Sequence, residues 1–164
     1  MPEQDSAPIG VLFVCLGNIC RSPTAHGVFQ HKVSMAGLDH LVAIDSCGTG
    51  GWHVGKPPDT RASAAAALRG YDLSELRARQ VTARDFEQFG YILAMDDSNL
   101  EDLQALAPAN YSGQLAMLLD FAPGLAGRAV PDPYYGGEQG FDEVLDLVEV
   151  ASEGLLEAVA REHR

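Results

Sequence analysis

The chain has 164 residues, a formal net charge of -12, 46% apolar and 21% charged side chains, enough for one domain with a substantial core and short for two. The apolar and charged fractions are too balanced for a disordered chain. The acidic excess argues against nucleic acid or an anionic membrane surface as the main partner, so an anionic substrate has to be held by a local cluster of donors against the field of the whole molecule. The opening residues MPEQDSAPIG lack the basic start and apolar core of a signal peptide, and no run approaches the roughly 20 apolar residues that span a bilayer. An odd number of cysteines, three, reads as free thiols. A cytoplasmic protein without membrane insertion is the expectation.

In chain order, residues 9–14 are a continuous apolar run, the pattern of a strand buried on both faces. Ser22-Pro23 is a helix-start signal, because a serine side chain caps free N–H groups and proline needs no N–H in the first turn. A helix over 23–35 follows, stopped at Gly37. Residues 41–44 read as a second strand and 59–68 as an alanine-rich helix capped by Asp59 or Thr60. Thr82 caps a short segment through Phe89; residues 91–95 then form a third strand, 97–106 a helix and 114–119 a fourth strand. Phe141, Val144, Leu145, Val148, Ala151, Leu155 and Val159 recur at helical spacing, so the C-terminal segment is an amphipathic helix with its acidic residues in solvent.

Strands alternating with helices predict an α/β fold with a parallel sheet covered on both faces. Ligands bind such sheets beyond the carboxyl ends of the strands. Gly48, Gly50, Gly51 and Gly55 mark one flexible loop, and residues 122–140 a long one rich in Pro and Gly. One domain over 1–164 is expected, with residues 1–8 disordered.

The loop after the first strand carries the chemistry. Cys15 and Arg21 stand in a C-x5-R spacing that runs directly into a helix start. The backbone N–H groups from Leu16 to Arg21 can turn inward, the helix dipole adds about half a positive charge, and a guanidinium grips two oxygens at once. Gly17 allows a tight turn, and Asn18 tolerates a left-handed conformation. The same donors favour the thiolate form of Cys15. A thiolate at the base of a tetrahedral-anion cradle suits in-line attack on phosphorus, where positioning and electrostatics supply most of the catalysis. A nucleotide-binding reading is weaker, since G-x-x-x-x-G-K-[ST] is absent and the glycines near position 50 do not form G-x-G-x-x-G after a suitable strand.

The stretch VCLGNICRSP resembles the signature of the low-molecular-weight protein tyrosine phosphatases. GWHVGKPPDTRA, ARQVT, AMDDSNL and PDPYYG follow in that family's order, so the resemblance covers nearly the whole chain. It implies a three-layer α/β/α, flavodoxin-like fold with a four-stranded parallel sheet, and hydrolysis of protein phosphotyrosine through a phosphocysteine. By resemblance, Cys15 is the nucleophile, Arg21 binds phosphate and stabilises the transition state, and Asp132 is the general acid, then the base that activates water. A phenol with a pKa of about 10 leaves more easily with a proton donor, and prolines at 131 and 133 stiffen the backbone of Asp132.

The resemblance further implies that Leu16, Gly17, Asn18, Ile19, Cys20 and Ser22 contribute to substrate binding, with Asn18 and Ser22 shaping the loop. Trp52, Tyr134 and Tyr135 wall a slot for a phenyl ring and offer a surface for weak self-association of an otherwise monomeric protein. Cys20 captures an oxidised Cys15 as a reversible disulfide, Cys47 is a small buried residue, and neither cofactor nor metal is needed. Ser46 reads equally as a loop support or a strand-end hydroxyl, and Asp96 and Asn99 as a helix start, the preferred reading, or as supports behind the residues that touch the substrate. His26 stands where the family commonly has glutamate, a helix-surface detail. Three other readings stay open. An arsenate reductase needs further relay cysteines downstream, where only Cys47 stands; a phosphoarginine phosphatase carries threonine where this chain has Ile19; and a phosphotyrosine-binding module has no need of Cys15 and Asp132 together. Tyrosine-phosphorylated proteins are the expected partners, with a bacterial tyrosine kinase among them.

Overall fold

The computed structural model describes residues 8–133 and 138–163. Four parallel strands, β1 (Ile9–Cys15), β2 (Val42–Gly48), β3 (Tyr91–Ala94) and β4 (Gln114–Met117), lie in the order β2-β1-β3-β4. Helices α1 (Arg21–Met35), α2 (Thr60–Leu68), α3 (Asp85–Gln88), α4 (Asp97–Leu106) and α5 (Glu138–His163) connect and cover them. The chain steps outward from β1 to β2 and then crosses back to β3, so the switch in strand order falls beside β1. The carboxyl end of β1 is therefore where such a sheet opens a crevice.

Period-two alternation in β1 divides the interior. Val11, Phe13 and Cys15 face a core shared with Val28 and Phe29 of α1 and Val144, Val148 and Leu155 of α5. Leu12 and Val14 face a second core with Cys47, Phe86 of α3, Ile92 and Leu103 of α4. Each fully buried large side chain contributes about 1.5–3 kcal/mol. Phe13 and Phe29 add an edge-to-face contact at 5.7 Å. The seven apolar positions expected on the C-terminal helix are all buried.

Element boundaries differ where a polar side chain acts outside its own helix. β2 runs to Gly48 because the polar stretch Asp45–Cys47 stays in register with β1 up to Cys15. α1 begins at Arg21, two residues early, and Cys20 at its N-cap makes no side-chain capping bond. Ser22, read as a cap, instead turns its hydroxyl into the preceding loop. Asp59 does cap α2, accepting from the N–H groups of Arg61 and Ala62. At α3 the expected roles reverse, and the Asp85 carboxylate accepts from the Thr82 N–H at 2.8 Å. β4 stops at Met117, where Leu118–Phe121 tightens into a 3-10 turn. Gly37 ends α1 with φ 72°, as expected of a left-handed C-terminal stop. The expected disorder of residues 1–8 falls outside the described residues apart from Pro8, which is exposed. Among the described residues no helix is long and apolar enough to cross a membrane.

α5 packs so closely on that 3-10 turn that a Cβ at Gly154 would lie 1.9 Å from the Phe121 carbonyl oxygen. Gly154→Ala should therefore destabilise the protein by about 1–3 kcal/mol, the usual cost of overpacking. This overrides alanine's advantage of about 1 kcal/mol within a helix. A urea melt checks it; a stabilised variant would contradict the packing described.

Candidate active site

β1 ends at Cys15, and its side chain, 3% exposed, lies at the floor of the loop that leads into α1. Its Sγ is 3.3 Å from the Asn18 N–H nitrogen, 3.4 Å from that of Ser22 and 3.0 Å from the Ser22 hydroxyl. The turn depends on Asn18, which takes φ 57°, a left-handed conformation costly for most side chains and tolerated by asparagine. Its amide group is used at both ends. Nδ2 donates to Ser22 Oγ at 2.8 Å, and Oδ1 accepts from the Arg79 N–H at 3.0 Å. Ser22 Oγ also reaches the Cys47 carbonyl at 3.3 Å, so its single proton serves either that carbonyl or the sulfur.

The loop is pressed against the end of β2. A side chain at Gly48 would stand 2.7 Å from the Leu16 carbonyl oxygen and 3.1 Å from the Asn18 nitrogen. Thr49 N–H bonds the Cys15 carbonyl, Gly50 N–H that of Leu16, and Asp59 N–H that of Ile19. The loop's carbonyls thus point outward to neighbouring segments while amides face the sulfur.

Arg21, on the first residue of α1, is 3% exposed. Its Nη1 donates to Asp96 Oδ2 at 2.7 Å and to the Val130 carbonyl at 3.0 Å, while Nη2 lies 3.7 Å from Asp132 Oδ2. A buried guanidinium needs such partners, since removing one of a buried pair costs several kcal/mol. Asp96 has two tasks: its other oxygen caps α4 through the Asn99 N–H at 2.8 Å. Asp96 in AMDDSNL therefore fits both readings, the helix start and the support behind the loop.

Cys15, Leu16, Gly17, Ile19, Cys20, Arg21, Trp52, His53 and Asp132 line one cavity of about 380 Å³. Asn18 and Ser22 lie beneath it, buried. Tyr134 and Tyr135 lie outside the described residues. Cys20 is 5% exposed and packs with Ala62 and Phe141. Burial, then the nearby charge of Asp59, push its thiol up to about 12. Cys47 is fully buried behind the loop in the second core, and burial raises its thiol as well.

Two residues escaped the sequence reading. His53 lines the cavity beside Gly17. Arg79 fastens the segment beneath the loop: its guanidinium donates in bidentate fashion to Asp85 at 2.9 and 3.1 Å and to Asp45 at 3.0 Å. Burial alone favours neutral Arg79, but the bonds to Asp85 and the charge of Asp45 raise its pKa above the ordinary value. Its presence in ARQVT was the only sequence signal.

Ser46 and His26 act together, away from the loop. His26 Nδ1 and Ser46 Oγ meet at 3.0 Å between α1 and β2, so His26 is a half-buried tie to the sheet where a helix-surface detail was expected.

A thiol under converging amides, a buried arginine and an overhanging carboxyl come together at the carboxyl end of a parallel strand, an arrangement suited to holding a tetrahedral oxyanion. The family model for low molecular weight phosphotyrosine protein phosphatase matches residues 10–164. A low molecular weight protein-tyrosine-phosphatase of Streptomyces coelicolor is 48% identical over 152 residues, covering 91% of this chain and 92% of the relative. The crystal structure of YfkJ from Bacillus subtilis superposes with TM-score 0.91 at 38% identity, covering 98% and 100% of the two chains. A protein tyrosine phosphatase from Entamoeba histolytica superposes with TM-score 0.90 at 38% identity over 95% and 99%. The chain belongs to the low molecular weight phosphotyrosine protein phosphatase family, whose members act on phosphoproteins.

Two outcomes follow from this geometry. Asp96→Ala strips Arg21 of its 2.7 Å partner and uncaps α4, and should lower kcat/KM for a phosphotyrosine peptide at least about tenfold, with a loss of roughly 1 kcal/mol or more in stability; wild-type kinetics would contradict the anchoring role. Burial lowers the His26 pKa below 6.5, opposed by Asp45, so the folded state binds the proton less readily than the unfolded one. Stability from this group is complete above the unfolded value and falls as pH drops below it, levelling beneath the folded value. His26→Gln should flatten that acid-side decline in urea melts taken across pH.

Proposed function

We propose that Cys15 is the nucleophile for phosphotyrosine hydrolysis, with Arg21 and the loop amides holding the phosphoryl oxygens and Asp132 serving as general acid and then base. The Cys15 sulfur attacks phosphorus, forming the S–P bond as the P–O bond to the aryl group breaks, and the carboxyl proton of Asp132 passes to the departing phenolate. In the second half the Asp132 carboxylate takes a proton from water. The water oxygen attacks phosphorus, and the S–P bond breaks to return the thiolate and release inorganic phosphate. The observation that carries this reading is the convergence of Cys15, Arg21 and Asp132 on a single cavity.

The selectivity proposed is for phosphotyrosine. Cys15 lies at the bottom of the cavity, 3% exposed, with Leu16, Ile19 and Trp52 along its sides. An aryl phosphate reaches that floor with its ring against apolar walls, a contact worth about 0.5–1.5 kcal/mol per aromatic pair; a phosphoserine is shorter. Ile19 sets the reading apart from a phosphoarginine phosphatase, because an apolar side chain at that position has no hydrogen bond to offer a guanidinium.

Reversible oxidation belongs to the same proposal. Cys20 faces the cavity that holds Cys15, and its raised pKa, about 12, keeps it as a protonated thiol until a sulfenic acid forms beside it. A peroxide supplies the two-electron oxidation: the Cys15 thiolate takes one peroxide oxygen as the O–O bond breaks and the other leaves as hydroxide, and condensation of Cys15–SOH with the Cys20 thiol then forms the S–S bond and releases water. A cytoplasmic setting, where reductants restore the dithiol, and tyrosine-phosphorylated substrates that include a bacterial tyrosine kinase complete the reading.

The test is steady-state hydrolysis of phosphotyrosine, phosphoserine and phosphoarginine peptides. Phosphotyrosine turnover should dominate, vanish in Cys15→Ser and fall about 10²–10⁴-fold in Asp132→Ala, the range for loss of general acid catalysis. An intact Cys15→Ser activity would sink the mechanism. In the same assay Ile19→Thr should raise phosphoarginine turnover relative to phosphotyrosine; an unchanged ratio would remove Ile19 as a selectivity element.

A further inference from the structure

Trp52 lines the catalytic cavity although 69% of its surface is exposed, so the core does not hold its indole. What lies under the ring is residue 50. A Cβ built on Gly50 would stand 1.9 Å from Cζ3, 2.4 Å from Cε3 and 2.6 Å from Cη2 of Trp52. The six-membered ring therefore rests on bare backbone. Conformation does not call for glycine there, because Gly50 is not among the glycines with positive φ. Space does.

The seat is also fixed relative to the reacting sulfur. Gly50 N–H donates to the Leu16 carbonyl at 2.9 Å, and Thr49 N–H to the Cys15 carbonyl at 2.9 Å. Two consecutive bonds thus tie the segment carrying the indole to the first two residues of the phosphate loop. The neighbouring Gly51 has a different surrounding: a Cβ there would meet Gln80 Oε1 at 2.8 Å, and Gln80 Nε2 donates to the Thr49 carbonyl.

We propose that Gly50 is a specificity-determining residue, its bare backbone seating the Trp52 indole and so setting the width of the aryl slot above Cys15. This rests on Trp52 being a wall of that slot. A methyl group at residue 50 displaces the outer ring of a surface side chain with two rotatable bonds, which the fold tolerates. The effect falls on substrate rings and spares the phosphate cradle.

Trp52 is the only tryptophan, so fluorescence reads the seat without reference to catalysis. Gly50→Ala should shift the emission and change acrylamide quenching, with Tm unchanged. Its KM for a phosphotyrosine peptide should rise about two- to tenfold, the range one ring contact is worth, while inhibition by inorganic phosphate, which has no ring, stays as in the wild type. Combined with Trp52→Ala, the same substitution should add nothing to KM. Gly51→Ala, which meets Gln80 instead, should leave the emission in place. The inference is overturned if Gly50→Ala leaves emission and KM unaltered, if its KM increase persists without Trp52, or if Gly51→Ala shifts the emission equally. A wild-type KM in Trp52→Ala, with the Gly50→Ala emission still shifted, would locate the failure in the wall itself and overturn the specificity role while leaving the seat.

Discussion

The loop between β1 and α1 has to aim its amides at one point within five residues, and that requirement rests on Asn18 in a left-handed conformation at φ 57°. A non-glycine residue stays there only when its surroundings over-determine it. Both ends of its amide group are used, Nδ2 toward Ser22 and Oδ1 toward the Arg79 N–H. Arg79 is held in turn by Asp45 in the middle of β2 and Asp85 on α3. A constraint at the Cys15 sulfur is thereby distributed to the sheet and to a helix on its far face.

Arg21 performs the complementary task from the other side. Its guanidinium joins the start of α1 to Asp96 at the start of α4 and to the Val130 carbonyl two residues before Asp132. The segment carrying Asp132 is therefore registered against the segment carrying Cys15. For a molecule with a net charge of -12, this concentration of donors lets an anion bind where the overall field would repel it.

Much of this was legible in the chain. The Val-Leu-Phe-Val run of β1 and the helical recurrence from Phe141 to Val159 reflect burial alone, and burial is a local property of sequence pattern. The C-x5-R spacing likewise exposes the loop because its parts are contiguous. Ser22 was misread because Ser-Pro marks a helix start equally whether the serine caps the helix or lies one residue inside it. Arg79 was missed because its partners, Asn18, Asp45 and Asp85, are brought together only by the sheet. The seat under Trp52 was hidden for a related reason: a pair of glycines marks a turn, and only coordinates reveal that at Gly50 space, not φ, excludes a side chain.

The measurement closest to the central claim is a rapid-quench experiment with a phosphotyrosine peptide, followed by peptide mapping of the acid-trapped enzyme. The account predicts a burst of tyrosine-containing product equal to the enzyme present, with one phosphoryl group on the peptide that bears Cys15. Turnover without a burst, or a phosphoryl group on any other residue, would contradict it.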